Sequence, residues 1–254
     1  MIRITGLEKA FSGKVVLHDI NVSFESGKTN LIIGKSGSGK TVLLKSIAGL
    51  HEPDKGEVWF GDILFNKLDF NSKKEIRKEM GMLFQGSALF DSLTVEQNVK
   101  FPLDMFTGQT PEEKIDRVNF CLNRVGIVNA NKLFPSELSG GMKKRVAIAR
   151  AIALNPRFLF CDEPNSGLDP ITAIMIDALI RELTEEYSMT TIINTHDMNS
   201  VIEIGENIVF INDGYICWEG NKDEVLRSGN ELLNEFIFAN SMARHLLSPQ
   251  KSED

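Results

Sequence analysis

The feature that most restricts how this chain can fold is the run Gly34-Lys35-Ser36-Gly37-Ser38-Gly39-Lys40-Thr41. It fits G-x-x-x-x-G-K-T and stands between a short apolar strand, Leu31-Ile32-Ile33, and a segment from Thr41 to Leu50. In that segment Val42, Leu43, Leu44, Ile47 and Ala48 predict a helix closed by Gly49. Strand, glycine loop and helix in this order form a phosphate cradle. Gly37 and Gly39 allow positive φ, so that backbone N–H groups wrap phosphate oxygens, and the helix starting near Lys40 aims its positive dipole end at them. Lys40 then reaches the β- and γ-phosphates and Thr41 coordinates Mg²⁺, with Gly34, Lys35, Ser36, Ser38 and Val42 completing the nucleotide-binding stretch. A merely flexible glycine-serine loop would leave the Lys-Thr ending and the strand-helix context unexplained.

Around this loop the sequence predicts an α/β core interrupted by helices. Strands are predicted over Ile2 to Leu7, Val15 to Phe24 and Val58 to Phe65, punctuated by Ser12-Gly13 and Ser26-Gly27. From about Asp91 to Ser136 the pattern turns helical, broken at Pro102, Thr107-Gly108, Pro111 and Pro135, with Pro111 to Val125 the clearest amphipathic helix. Alternation then resumes: helix Met142 to Leu154, strand Phe158 to Cys161, helix Thr172 to Tyr187, strand Thr190 to Asn194, and Ile208 to Ile211. A chain of 254 residues with 42% hydrophobic and 25% charged residues suits one such core carrying an insertion. The polar stretch Ser248 to Asp254 reads as a frayed end.

Composition narrows the function classes. A net charge of −7 supplies no global field for a phosphate backbone, so no nucleic-acid partner is expected. Cys121, Cys161 and Cys217 are widely spaced without a CxxC pair, which predicts neither disulfides nor a zinc site. The start of the chain has no leader pattern, and no apolar run approaches the roughly 20 residues of a membrane-spanning helix. Both observations predict a cytoplasmic protein that something else anchors if it works at a membrane.

Two further motifs carry chemistry. Phe158-Leu159-Phe160-Cys161 is an apolar strand ending in Asp162-Glu163, and adjacent strand residues face opposite ways, so the two acids can share a site only if the strand ends there. Asp162 is the candidate for Mg²⁺ and Glu163 for the attacking water. Leu138-Ser139-Gly140-Gly141-Met142 precedes a strongly helical segment, Lys143 to Leu154, which makes a second anion site at a helix N-terminus about 100 residues beyond the first. One chain needs one γ-phosphate cradle, so the second suggests that each chain completes a partner's site.

With the phosphate loop, Leu138 to Met142 and Asp162-Glu163-Pro164 in that order, the sequence resembles the nucleotide-binding domain of an ABC transporter over nearly its whole length. The resemblance implies a P-loop NTPase with a RecA-like core, an N-terminal antiparallel β subdomain and an inserted helical subdomain. It places the ATPase domain at 1–240, with core and β subdomain at 1–85 and 155–240, the helical subdomain at about 86–154, and a short tail at 241–254. It further implies ATP and Mg²⁺ as ligands and a homodimer of ATPase subunits. Gln85 is implied to touch Mg²⁺ or water and to sense the membrane partner. By the same resemblance, Gly167, Leu168 and Asp169 are expected to communicate across the dimer and His196 to contact the γ-phosphate. Phe11, where the family more often has tyrosine, is expected to stack on adenine, with Val16 packing on the same base.

A finer resemblance lies in Phe84 to Val95, in Asn98-Val99-Lys100-Phe101-Pro102-Leu103, in Asp169-Pro170-Ile171-Thr172, and in Met142 where glutamine is usual. These residues are similar to the ATPases of bacterial lipid-trafficking systems of the Mla or Mce type. That implies phospholipid transport between inner and outer membranes through an integral permease (MlaE-like), an Mce-domain periplasmic lipid-binding partner, and a peripheral position on the inner membrane. The short tail after Asn240 departs from members whose longer extensions contact the neighbouring ATPase. The alternatives are an importer ATPase for amino acids or another small polar solute and, from other classes, a soluble non-transport ABC ATPase or a cofactor-assembly ATPase.

Overall fold

The computed structural model describes residues 1–238, so the expected tail at 241–254 lies outside the described residues. The chain opens with β1 (Ile2–Phe11) and β2 (Lys14–Phe24), joined through Ser12-Gly13. Both turn residues have positive φ, 49° and 82°, which matches the right-handed twist of the paired strands. Next come β3 (Thr29–Ile33), α1 (Lys40–Ile47), β4 (Lys55–Phe60) and β5 (Ile63–Leu64). The single strand predicted over Val58 to Phe65 is therefore two, folded back at Gly61-Asp62 with Phe60 paired to Ile63. Gly61, at φ 59°, supplies the reversal, and Phe65 leaves the sheet to enter the core.

After α2 (Phe70–Lys78) and β6 (Met80–Leu83) the helices α3 (Val95–Phe106), α4 (Pro111–Arg124) and α5 (Gly140–Ala151) pack together. The break predicted at Pro102 does not occur, because that residue lies inside α3. A reciprocal cap between Thr94 and Gln97 starts this helix, and buried Asn98 ties it to the carbonyls of Phe90 and Leu93, which offsets the hydrogen bond that proline removes. Ser139 caps α5 directly, so Gly140 and Gly141 form the first turn of the helix instead of preceding it, and the helix ends at Ala151 instead of Leu154.

The second half runs β7 (Phe158–Asp162), α6 (Pro170–Glu186), β8 (Thr190–Thr195), α7 (Met198–Ile204), β9 (Asn207–Asn212), β10 (Tyr215–Gly220), α8 (Lys222–Val225) and α9 (Glu231–Phe238). Among the described residues one sheet has four strands, in the order β2-β1-β4-β5, and is antiparallel. The other has six, in the order β10-β9-β3-β8-β7-β6, parallel except for β10. Its central strands are buried on both faces, with short apolar runs at Leu31 to Ile33, Phe158 to Cys161 and Ile192-Ile193. Alternation still assigns the side chains: Leu31 and Ile33 of β3 join the core beneath the helices, and Ile32 joins the core between the two sheets. The carboxyl ends of β3, β8, β7 and β6 are thereby neighbours along one edge of the sheet, where a doubly covered parallel sheet opens its ligand crevice.

Candidate functional site

A cavity of about 630 Å³ lies at those strand ends. The glycine loop leaves β3 and forms its floor, and the geometry dictates its first glycine: a Cβ on Gly34 would come 2.2 Å from the Ile211 carbonyl oxygen. Gly37 and Gly39 take φ of 81° and 107°, as the motif requires. Gly39 caps α1 with no side-chain hydrogen bond, and the first turn holds no acidic residue. The uncapped amides of that turn make an anion site. Lys35, Ser36, Lys40, Thr41, Val42 and Val16 also line the cavity, while buried Ser38 beneath them has a hydroxyl with no partner. Lys40 Nζ donates to the carbonyls of Gly34 and Lys35 at 2.9 and 3.0 Å, and burial lowers its pKa against the pull of Glu163 and Asp162.

Strand β7 ends at Asp162, and Glu163 follows with φ 46°, so the alternation that would send the two acids to opposite faces is broken. Asp162 sits under the cavity and accepts from the Thr41 hydroxyl at 3.1 Å, with the Lys45 ammonium 4.0 Å from its other oxygen. Glu163 reaches the cavity wall, where Oε2 accepts from Gln85 Nε2 at 3.0 Å and Oε1 lies 3.2 Å from His196 Nδ1. Gln85 follows β6 and His196 follows β8, so together with the glycine loop after β3 four parallel strands build this cavity. Among the described residues no three His, Cys, Asp or Glu side chains form a self-sufficient metal cage. Thr41 and Asp162 instead offer the sparse oxygen donor set that suits Mg²⁺ held jointly with phosphate oxygens and water.

Ser139, Gly140, Gly141 and Met142 are absent from this cavity wall. The Ser139 hydroxyl accepts from the Met142 N–H at 3.3 Å, and the glycines lie against Leu168 and Thr172. Gly167 is exposed, and Asp169 caps α6 by accepting from the Thr172 N–H at 3.0 Å. Phe11 is also outside the wall, 41% exposed at the end of β1 and edge-on to His51.

Several residues that the sequence did not single out belong to the site. Met198 and Phe236 line the cavity. Asn194, wholly buried at the end of β8, touches Asp162, Thr41 and Glu163 at once. Lys144 of α5, also buried, donates to the carbonyls of Gln85 and Glu163, and burial lowers its pKa. The signal for Lys144 was the helical turn itself, which carries the middle member of Lys143-Lys144-Arg145 inward.

Behind the site, Asp177 of α6 is buried and accepts from the Ser200 hydroxyl of α7 at 2.7 Å. Burial pushes its carboxyl up to about 6, opposed first by the hydrogen bond from Ser200 and reinforced by Asp197 and Glu203. The folded state thus holds this proton more tightly than the unfolded chain. Stability therefore falls as pH rises from the ordinary 3.8 to about 6 and stays lowered above that. Asp177→Asn keeps an acceptor for Ser200 and removes the loss. It should be more stable than the parent at pH 7.5, by about 3 kcal/mol at most, in denaturant titrations, with the gap closing near pH 4.

Comparisons with known proteins agree on the family. The family model for "ABC transporter" matches residues 17–166. The methionine import ATP-binding protein MetN of Carboxydothermus hydrogenoformans is 40% identical over 242 residues, 93% of this chain and 71% of that protein. The intermembrane phospholipid transport system ATP-binding protein MlaF of Haemophilus influenzae is 38% identical over 238 residues, 93% of this chain and 90% of that protein. Among solved structures, the dimeric ABC transporter cassette MJ0796 superimposes with a TM-score of 0.81 at 34% identity, covering 87% of this chain and 99% of that one. Its dimeric post-hydrolysis state bound to ADP and Pi superimposes with a TM-score of 0.80.

Proposed function

The chain belongs to the ABC transporter family as an ATP-binding subunit that hydrolyses ATP, and from that premise we propose that it drives phospholipid movement between inner and outer membranes through a separate permease. The observation that carries the catalytic part is the meeting of Gln85, Glu163 and His196 at one end of the cavity. Two copies close head to tail around two ATP molecules, each placing its phosphate loop opposite the other's Ser139 to Gly141. This explains why the turn at Ser139 lies outside its own chain's cavity.

In this reading the loop amides and Lys40 hold the β- and γ-phosphates, and Phe11 and Val16 pack on the adenine. Thr41, Asp162 and Gln85 hold Mg²⁺, which when bound neutralises charge developing on the phosphoryl oxygens. Glu163 takes the proton from the attacking water. His196 and the partner's first-turn amides of α5 steady the γ-phosphate. Gly167 to Asp169 carry the state of one site across the interface.

The permease docks where an apolar groove of about 480 Å³ follows Gln85, lined by Phe84, Phe90, Phe101 and Pro102. Phe90 and Phe101 are partly exposed there, an arrangement expected of a surface that a partner covers. No helix among the described residues is long and apolar enough to cross a membrane. In this reading the permease holds the chain at the cytoplasmic face.

The residues from Phe84 to Val95 and Met142 support the lipid assignment, together with the MlaF relative. The MetN relative favours a second reading, an importer ATPase for an amino acid or another small polar solute. Copurification from native membranes separates them. An integral permease with an Mce-domain lipid-binding protein supports lipid transport. A permease with a solute-binding protein selects the importer, and neither partner removes both.

A further inference from the structure

We infer that Asn194 is a positioning residue for ATP hydrolysis, whose single side-chain amide fixes the relative placement of Thr41, Asp162 and Glu163. The inference rests on the roles proposed above for those three residues. Asn194 follows Ile192-Ile193 near the end of β8, directly opposite Asp162 in the ladder with β7, and has no exposed surface. A buried amide among isoleucines is costly unless its polar atoms are partnered. Here they are: Nδ2 donates to Asp162 Oδ1 at 2.7 Å and to Thr41 Oγ1 at 3.1 Å, and Oδ1 accepts the Glu163 N–H at 2.7 Å.

Each contact sets a direction. The Thr41 hydroxyl donates to Asp162 and accepts from Asn194, which leaves one lone pair for a cation. Asp162 Oδ1 receives two donors, so the carboxylate cannot swing toward Lys45, whose ammonium is 4.0 Å from Oδ2. The Glu163 N–H is held by the side chain and also by the main-chain carbonyl of Asn194, at 3.1 Å. That clamp stabilises the left-handed φ of 46°, which turns the Glu163 carboxylate toward the cavity that Asp162 underlies. One amide thereby coordinates the metal-binding hydroxyl, the metal-binding acid and the base.

The test compares the parent with Asn194→Leu, which keeps the branched shape without polar atoms, and with the smaller Asn194→Ala, which cannot clash. A fluorescent ATP analogue is titrated in EDTA and across a Mg²⁺ series, beside steady-state hydrolysis. Binding in EDTA should match the parent, the Mg²⁺ needed for half-maximal binding should rise, and kcat should fall, each of the latter two by about 10- to 100-fold. Little change in KM should accompany the loss of kcat. A residue that only packs would lower the melting temperature and leave the Mg²⁺ series unmoved. That result, in either folded variant, overturns the inference. Asp162→Asn run in parallel separates the two levels. If it keeps a normal Mg²⁺ series the metal-site reading itself fails, whereas if it loses Mg²⁺ dependence and Asn194→Leu does not, only the role of Asn194 falls.

Discussion

Glu163→Gln is expected to reduce turnover by about 10²- to 10⁴-fold while ATP still binds and the ATP-bound dimer persists. The side chain keeps its length and its place after β7, where the backbone N–H is held by Asn194 and the carbonyl lies 3.5 Å from Lys144 Nζ. What changes is basicity. An amide cannot take a proton from water, and it presents an N–H where the carboxylate now accepts from Gln85. The phosphate loop, some distance along the sheet edge, keeps Lys40 and the first-turn amides of α1, so affinity survives. Single-turnover hydrolysis beside size-exclusion chromatography in Mg²⁺ and ATP measures both halves. Near-normal hydrolysis would take Glu163 out of the catalytic role.

The parts of this site legible in the sequence are those whose function is local. The glycine loop announced itself because strand, loop and helix are contiguous, and the structure shows positive φ at Gly37 and Gly39. The pair Asp162-Glu163 was legible once the strand was seen to end, and the φ of Glu163 is the physical form of that ending. Asn194 was hidden because its meaning depends on β8 lying beside β7 and opposite Asp162, a pairing no local pattern encodes. In sequence it is only a polar residue closing the predicted strand Thr190 to Asn194. Lys144 was hidden within three consecutive basic residues, where nothing local marks the one that the helix turns inward. Helix α2 escaped because it buries no side chain, so its start is marked only by Asp69, which caps the N–H groups of Asn71 and Ser72. The helix break expected at Pro102 failed because a rule about one residue yielded to the packing of Asn98 and to the cap at Thr94.

Ser139→Glu is the second variant with a large expected effect. The hydroxyl caps α5, and a carboxylate at the same helix end still interacts favourably with the dipole, so folding should be little affected. Because Ser139 is exposed and outside its own chain's cavity, one chain's affinity for ATP should not change. In the closed dimer the new charge would face the partner's γ-phosphate and repel it. Hydrolysis should fall by about 10²-fold or more, since the variant both removes a stabilising group and adds a like charge. Filter binding on dilute protein and hydrolysis at high protein concentration separate the two effects. Loss of binding by the dilute chain would place Ser139 in its own site.

Lys40→Ala supplies the complement, because it damages the phosphate loop and leaves the turn at Ser139 intact. In a mixed dimer of Lys40→Ala and Ser139→Glu chains, one site collects both defects and the other has neither. The most direct measurement is therefore ATP hydrolysis by an equal mixture of the two inactive proteins. If each site is built from both chains, half the dimers are mixed and each has one intact site, so activity should return to about a quarter of the parent's. A mixture as inactive as its components would contradict the two-chain site.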